Sequence, residues 1–142
     1  MSENVYIETS VLLRVVLEGD DSLRPLLLGP GRYTSALTFA EAARAIVRAQ
    51  TDGRLDAQGA REARRRVAEF GRSAEVVPVE DVILERAGRE FPVEPVRTLD
   101  AVHLASIDAL NQAAVDLEVA STDKRVRENA DALGFRVLPA SN

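Results

Sequence analysis

The strongest constraint on this chain is a rhythm in its apolar residues. Short runs of strand length alternate with longer segments whose apolar residues recur every three or four positions. Val5-Tyr6-Ile7 is a continuous apolar run, suited to a strand covered on both faces. Tyr33–Ser35, Val76-Val77, Leu117–Ala120 and Phe135–Leu138 are further strand candidates. Between them the periodicity predicts helices over Ser10–Leu17, Ser22–Leu28, Phe39–Asp52, from Asp56 past Phe70, over Val79–Glu90, Leu99–Gln112 and Asp123–Leu133. Strands separated by helices argue for an α/β fold with a mainly parallel central sheet.

Breaks in the pattern place the ends. Gly19, Gly29-Pro30-Gly31, Gly53 and Gly134 act as stops. Thr38-x-x-Glu41 has the spacing of a capping box, so Thr38 is expected to cap the helix that follows it. Asp56 is the expected cap of the next one. There Ala60, Ala63, Val67 and Phe70 form one apolar face, and Arg61, Arg64, Arg65 and Arg66 fall mainly off it. These two helices read as a hairpin projecting from the sheet. Leu99–Gln112 is apolar almost all round, which implies deep burial.

With 142 residues and no repeat or linker, the chain fits one domain, 1–142, with its own core. The absence of Cys excludes disulfides and thiolate metal sites. A single histidine, His103, excludes a multi-histidine zinc site within one chain. A Ser-His-Asp triad would need His103, and no nucleophile elbow accompanies it. No apolar run is long enough for a membrane span. Met1-Ser2-Glu3-Asn4 lacks the marks of a secretion signal, so a cytoplasmic location is expected.

A net charge of -5 argues at first against a nucleic-acid partner. The cations, however, are almost all arginine, the residue suited to bidentate phosphate contacts, and several cluster between Arg44 and Arg72. Ordinary solvated helix faces account for that cluster equally well. The acidic residues are more informative. Glu8 directly follows the first strand, and Asp123 follows Leu117–Ala120. Asp100 and Glu41 sit in the expected first turns of their helices. Ligands of open α/β sheets bind beyond the carboxyl ends of the strands. Four carboxylates converging there would suit hard divalent cations with oxygen ligands. Taken singly, each has a plainer reading as a helix cap, a dipole partner or a strand-end residue.

The segments carrying these acids resemble the PIN-domain family in order and spacing. Val5-Tyr6-Ile7-Glu8-Thr9-Ser10 resembles its opening motif, and Thr34 to Glu41 its second. Arg97-Thr98-Leu99-Asp100-Ala101-Val102-His103 resembles the third closely, and Ser121-Thr122-Asp123-Lys124-Arg125 the fourth. Length and motif wording look most like VapC-type toxins. The resemblance implies a PIN-like fold and Mg²⁺- or Mn²⁺-dependent endonucleolytic cleavage of RNA. It also implies a homodimer and a cognate antitoxin that inserts a segment into the active-site groove. By that carry-over Glu8, Glu41, Asp100 and Asp123 are the catalytic, metal-binding carboxylates, and the hydroxyls of Thr9, Ser10 and Thr122 support them. Arg14, Arg44, Arg48 and Arg97 are the candidates for holding RNA phosphates. The family usually has Asp at the first position, so Glu8 is a departure that keeps the charge and adds a methylene.

The expected chemistry is in-line hydrolysis of a phosphodiester, leaving 5′-phosphate and 3′-hydroxyl ends. It needs no histidine base. His103 is expected to pack in its buried helix and hydrogen-bond a neighbour. Two rival readings use the same residues: a PIN-like module that binds RNA or a partner without cutting, and a nuclease or phosphohydrolase with a non-RNA substrate. A response-regulator-like domain fits less well, because it needs paired acids after the first strand.

Overall fold

The computed structural model describes residues 3–140. Met1 and Ser2, read above against a secretion signal, and Ser141 and Asn142, the last residues of the expected domain, lie outside the described residues. Five parallel strands form one sheet: β1 (Asn4–Ile7), β2 (Arg32–Ser35), β3 (Glu75–Val77), β4 (Leu117–Ala120) and β5 (Arg136–Leu138). Their order across the sheet is β3-β2-β1-β4-β5. The chain builds outward from β1 in one direction, then returns to its other side. β1 and β4 are in register, with Val5 opposite Glu118 and Ile7 opposite Ala120. Because every strand is parallel, all carboxyl ends lie along one edge.

Side chains on a strand alternate between faces, and β1 divides the core accordingly. Val5 and Ile7 belong to a cluster with Leu12, Val15, Ala42, Ile46, Val67 and Phe70, built from α1 (Thr9–Glu18), α2 (Ala36–Thr51) and α3 (Ala57–Ser73). Tyr6 belongs to the opposite cluster, with Leu104, Ile107, Val119, Val126 and Ala130. That side is covered by α5 (Thr98–Gln112) and α6 (Lys124–Ala132). The helix α5 is buried continuously from Ala101 to Ile107. Its Ala101, Leu104 and Ile107 join the Tyr6 cluster, while Val102 and Ala105 meet Ile83 of α4 (Asp81–Ala87). A helix packed on two sides must be apolar on two sides, as its composition required.

Two expectations need correction. The predicted helix over Ser22–Leu28 is a single 3-10 turn, Arg24–Leu27, with Pro25 in its first turn. Thr38 does not cap α2. The helix begins a turn earlier, and the Ser35 hydroxyl accepts from the Leu37 N–H at 3.0 Å. Thr38 is buried inside the helix, where its hydroxyl lies 2.7 Å from that of Thr34. The α2–α3 pair forms the expected hairpin, with the apolar face of α3 packed on α1 and α2. Asp56 caps α3 as expected, accepting from the Gly59 N–H at 2.7 Å. Gly19 ends α1 in the left-handed conformation, φ 65°, which a residue without Cβ adopts readily.

Candidate functional site

Four elements deliver the four acidic residues to one groove at the carboxyl edge of the sheet. Glu8 follows β1 and is the N-cap of α1. Asp123 lies beyond β4 and is the N-cap of α6. The pairing of Ile7 with Ala120 makes these two loops neighbours. Glu41 rises from the second turn of α2, and Asp100 from the first turn of α5. Glu8, Glu41, Asp100 and Asp123 all line the groove, with Thr9, Ser10, Arg44 and Arg48.

Three of the four carboxylates are tied down by the protein itself. Glu8 is buried. Its Oε1 accepts the Ser10 hydroxyl at 2.5 Å and the Ser121 hydroxyl at 2.6 Å, and its Oε2 accepts the Ser10 N–H at 3.1 Å. The side chain folds back over its own helix start. Glu41 Oε1 accepts the Thr9 hydroxyl at 2.6 Å and lies 2.6 Å from His103 Nε2. Burial pushes the Glu41 carboxyl up, but the hydrogen bonds from His103 and Thr9 outweigh it and leave it below the usual range. Asp123 Oδ1 accepts the N–H groups of Arg125 and Val126, both at 3.0 Å.

Asp100 is the exception. Half-buried, it takes no side-chain hydrogen bond from the described residues. Burial raises its carboxyl first, and the charges of Asp123, Glu8 and Glu41 add to that, bringing it from 3.8 to about 6. Such a shift in a lined groove marks a site of unneutralised negative charge. Among the described residues no three acidic or histidine side chains close around a single point. The oxygen donors are spread along the groove. That fits a Mg²⁺-like ion, which commonly takes one or two carboxylates and completes its shell with water.

The supporting residues divide. Thr9 and Ser10 donate their hydroxyls to Glu41 and Glu8. Thr122 contributes differently: its backbone N–H donates to Ser10 Oγ at 2.8 Å. Arg44 and Arg48 line the groove. Arg97 lines the adjoining cleft, which shares Asp100 and Asp123 and adds Lys124 and Arg125. Arg14 is not brought to either. Its guanidinium turns to Glu18 and Asp20, at 3.6 and 3.7 Å. The arginines of the middle segment follow the plainer reading in part: Arg65 and Arg66 pair with Glu62 and Glu69 on their own helix.

Two further residues hold the acids of the groove. Ser121 is fully buried, binds Glu8 and accepts the Asp123 N–H at 3.0 Å, so one hydroxyl links two acidic residues. A lone serine after a strand carries no pattern of its own. His103 is buried and hydrogen-bonded, as expected, but its partner is Glu41, with Tyr6 Oη 2.8 Å away on its other nitrogen. Its place three residues after Asp100 was the available signal.

The family model for the PIN domain matches residues 5–132. A search of curated proteins finds no match to the sequence. Among solved structures, the chain resembles a toxin–antitoxin complex from Klebsiella pneumoniae, with a TM-score of 0.63 at 15% identity, covering 98% of this chain and 99% of that one. VapBC2 from Rickettsia felis, bound to a DNA fragment from its promoter, aligns with a TM-score of 0.63 at 10% identity, over 94% and 96% of the two chains. VapC20 from Mycobacterium tuberculosis, described as a toxin cleaving the sarcin-ricin loop, aligns with a TM-score of 0.63 at 18% identity, over 93% and 96%. At such identities the likeness is one of fold.

Proposed function

Because this chain belongs to the PIN-domain family, we propose that it is a divalent-metal-dependent endoribonuclease and the toxin of a toxin–antitoxin pair. The observation that carries the reading is the groove in which four carboxylates from four elements meet, with Asp100 raised to about 6 by burial and its three acidic neighbours. The toxin reading leans on the solved neighbours, one a toxin that cleaves RNA and others held with antitoxins. A cognate antitoxin entering the groove and a homodimer belong to the same proposal, as does action in the cytoplasm. No helix among the described residues is long and apolar enough to cross a membrane.

Asp100 and Asp123 are the first pair to hold Mg²⁺ or Mn²⁺, since Asp123 is the strongest charge acting on Asp100. Glu41 and Glu8 complete the negative field. Bound there, the metal would supply electrostatic stabilisation of the phosphodiester and a more acidic attacking water. The chain supplies the rest. Ser10, Ser121, Thr9 and His103 hold Glu8 and Glu41 in place, so little reorganisation is left for the reaction itself. Arg44 and Arg48 line this groove, Arg97 and Lys124 line the adjoining cleft, and these cations are available to the phosphates of a bound strand.

The test is cleavage of a mixed RNA panel by purified protein with Mn²⁺, Mg²⁺ or EDTA. Cutting that needs metal and leaves 5′-phosphate and 3′-hydroxyl ends is expected. Cyclic phosphate ends would exclude this chemistry, because they arise from the substrate's own hydroxyl. One observation favours a second reading, a module that binds RNA or a partner without cutting: the Glu8 carboxylate already accepts three internal hydrogen bonds. RNA retention without cleavage, in protein that binds Mn²⁺, would favour it. Under the nuclease reading Glu8→Asp retains Mn²⁺ binding, and its loss would end the equivalence with the family's first acid.

A further inference from the structure

We propose that Tyr6 and His103 form a positioning pair that fixes Glu41, turning one carboxylate oxygen inward and presenting the other to the groove. This rests on the reading of Glu41 as part of the metal-binding groove.

His103 is fully buried on a helix whose neighbouring positions are apolar. A buried imidazole is costly unless both nitrogens are satisfied. Here both are, and the bonds run in one direction. A carboxylate can only accept, so His103 Nε2 carries the hydrogen at 2.6 Å from Glu41 Oε1. The other nitrogen, Nδ1, then accepts from Tyr6 Oη at 2.8 Å. Tyr6 is itself fully buried on β1, two residues before Glu8. Thr9, also buried, donates to the same Glu41 oxygen at 2.6 Å. Glu41 Oε1 is thus occupied by two donors rooted in the core, while Oε2 takes no hydrogen bond from the described residues. The Glu41 side chain keeps 23% of its exposure, against 0% for His103. Glu41 is among the residues that line the groove.

A histidine that merely filled space would be satisfied by any backbone carbonyl. This one ends on a groove carboxylate, and its second nitrogen is held by a residue of the central strand. Outer partners of this kind orient a ligand and typically tune metal affinity or activity by roughly 10–100-fold.

The test compares His103→Leu, His103→Gln and Tyr6→Phe with the wild type. The readouts are Mn²⁺ affinity by calorimetry without RNA, kcat and KM on a cleaved RNA, and the denaturation midpoint. His103→Leu is expected to weaken Mn²⁺ binding by about 10–100-fold and to lower kcat with KM little changed. His103→Gln, whose amide can donate to Glu41, recovers most of the affinity. Tyr6→Phe falls between. Wild-type Mn²⁺ affinity in His103→Leu, or folded His103→Gln as weak as His103→Leu, overturns the proposal. Should His103→Leu not fold, the other two variants decide by the same criteria. Failure of the wild type to bind Mn²⁺ counts against the nuclease reading. The pair is then judged by imidazole ¹⁵N signals: a protonated Nε2, with an Nδ1 signal that moves in Tyr6→Phe, supports it. The opposite tautomer overturns it.

Discussion

Glu8 and Asp100 line the same groove and carry the same charge, yet the protein treats them in opposite ways. Glu8 is buried and accepts three hydrogen bonds from Ser10 and Ser121. Asp100 is half-buried, accepts none from the described residues and is raised to about 6. Glu8 is stabilised by the fold and in turn closes the start of α1. Asp100 has no such support, and burial and its acidic neighbours disfavour its charge. Within one acidic cluster, then, one carboxylate belongs to the architecture and another carries the unspent charge. A group whose ionisation the native state disfavours is the one most responsive to a cation.

Removing that charge should give the largest effect. Asp100→Asn is expected to lower metal-dependent cleavage by about 10²-fold or more, as loss of a preorganised electrostatic group does. The same change should raise the denaturation midpoint, since it relieves repulsion from Asp123, Glu8 and Glu41. A variant that loses activity and stability together would erase the distinction between the two acids. Glu8→Ala should behave in the reverse sense. It strands two hydroxyls and a helix-start N–H, at a cost of about 1–3 kcal/mol in urea unfolding. Unchanged stability there would mean that the Ser10 and Ser121 bonds are replaced by water at no cost. The smallest effect is in pH. Asp100 binds its proton more tightly folded than unfolded, so its contribution to stability is complete below 3.8 and lost as pH rises through about 6. The difference in unfolding free energy between wild type and Asp100→Asn should therefore grow from about pH 4 to about pH 6 and level off above. Mn²⁺ affinity should rise over the same interval, because the ion requires the ionised form. A flat difference would show that Asp100 titrates normally.

Much of the fold was legible because periodicity reports burial. Leu117–Ala120 was read as a strand and is one, and the run Val5-Tyr6-Ile7 is buried as a central strand must be. What misled was local chemistry that two neighbouring residues share. Ser35 and Thr38 are both good caps, and Thr38-x-x-Glu41 has the capping-box spacing. In the fold β2 runs to Ser35, and it is Ser35 that caps α2. Glu41 is thereby freed from a capping role and reaches Thr9 and His103 instead. The acids of the groove were legible through their places after strands and in helix starts. Ser121 and the Tyr6–His103 pair were not, because their meaning lies in contacts such as that between Tyr6 and His103, 97 residues apart.

The order of strands has a consequence in time. β1 sits between β2 and β4, and the hydroxyl that ties Glu8 belongs to Ser121, 113 residues further along the chain. Translation delivers a protein from its amino end. A nascent chain grown as far as Gln112 carries Glu8, Glu41 and Asp100, but one flank of its central strand is bare and Glu8 lacks its far partner. The groove cannot be finished until β4 and the start of α6 have left the ribosome.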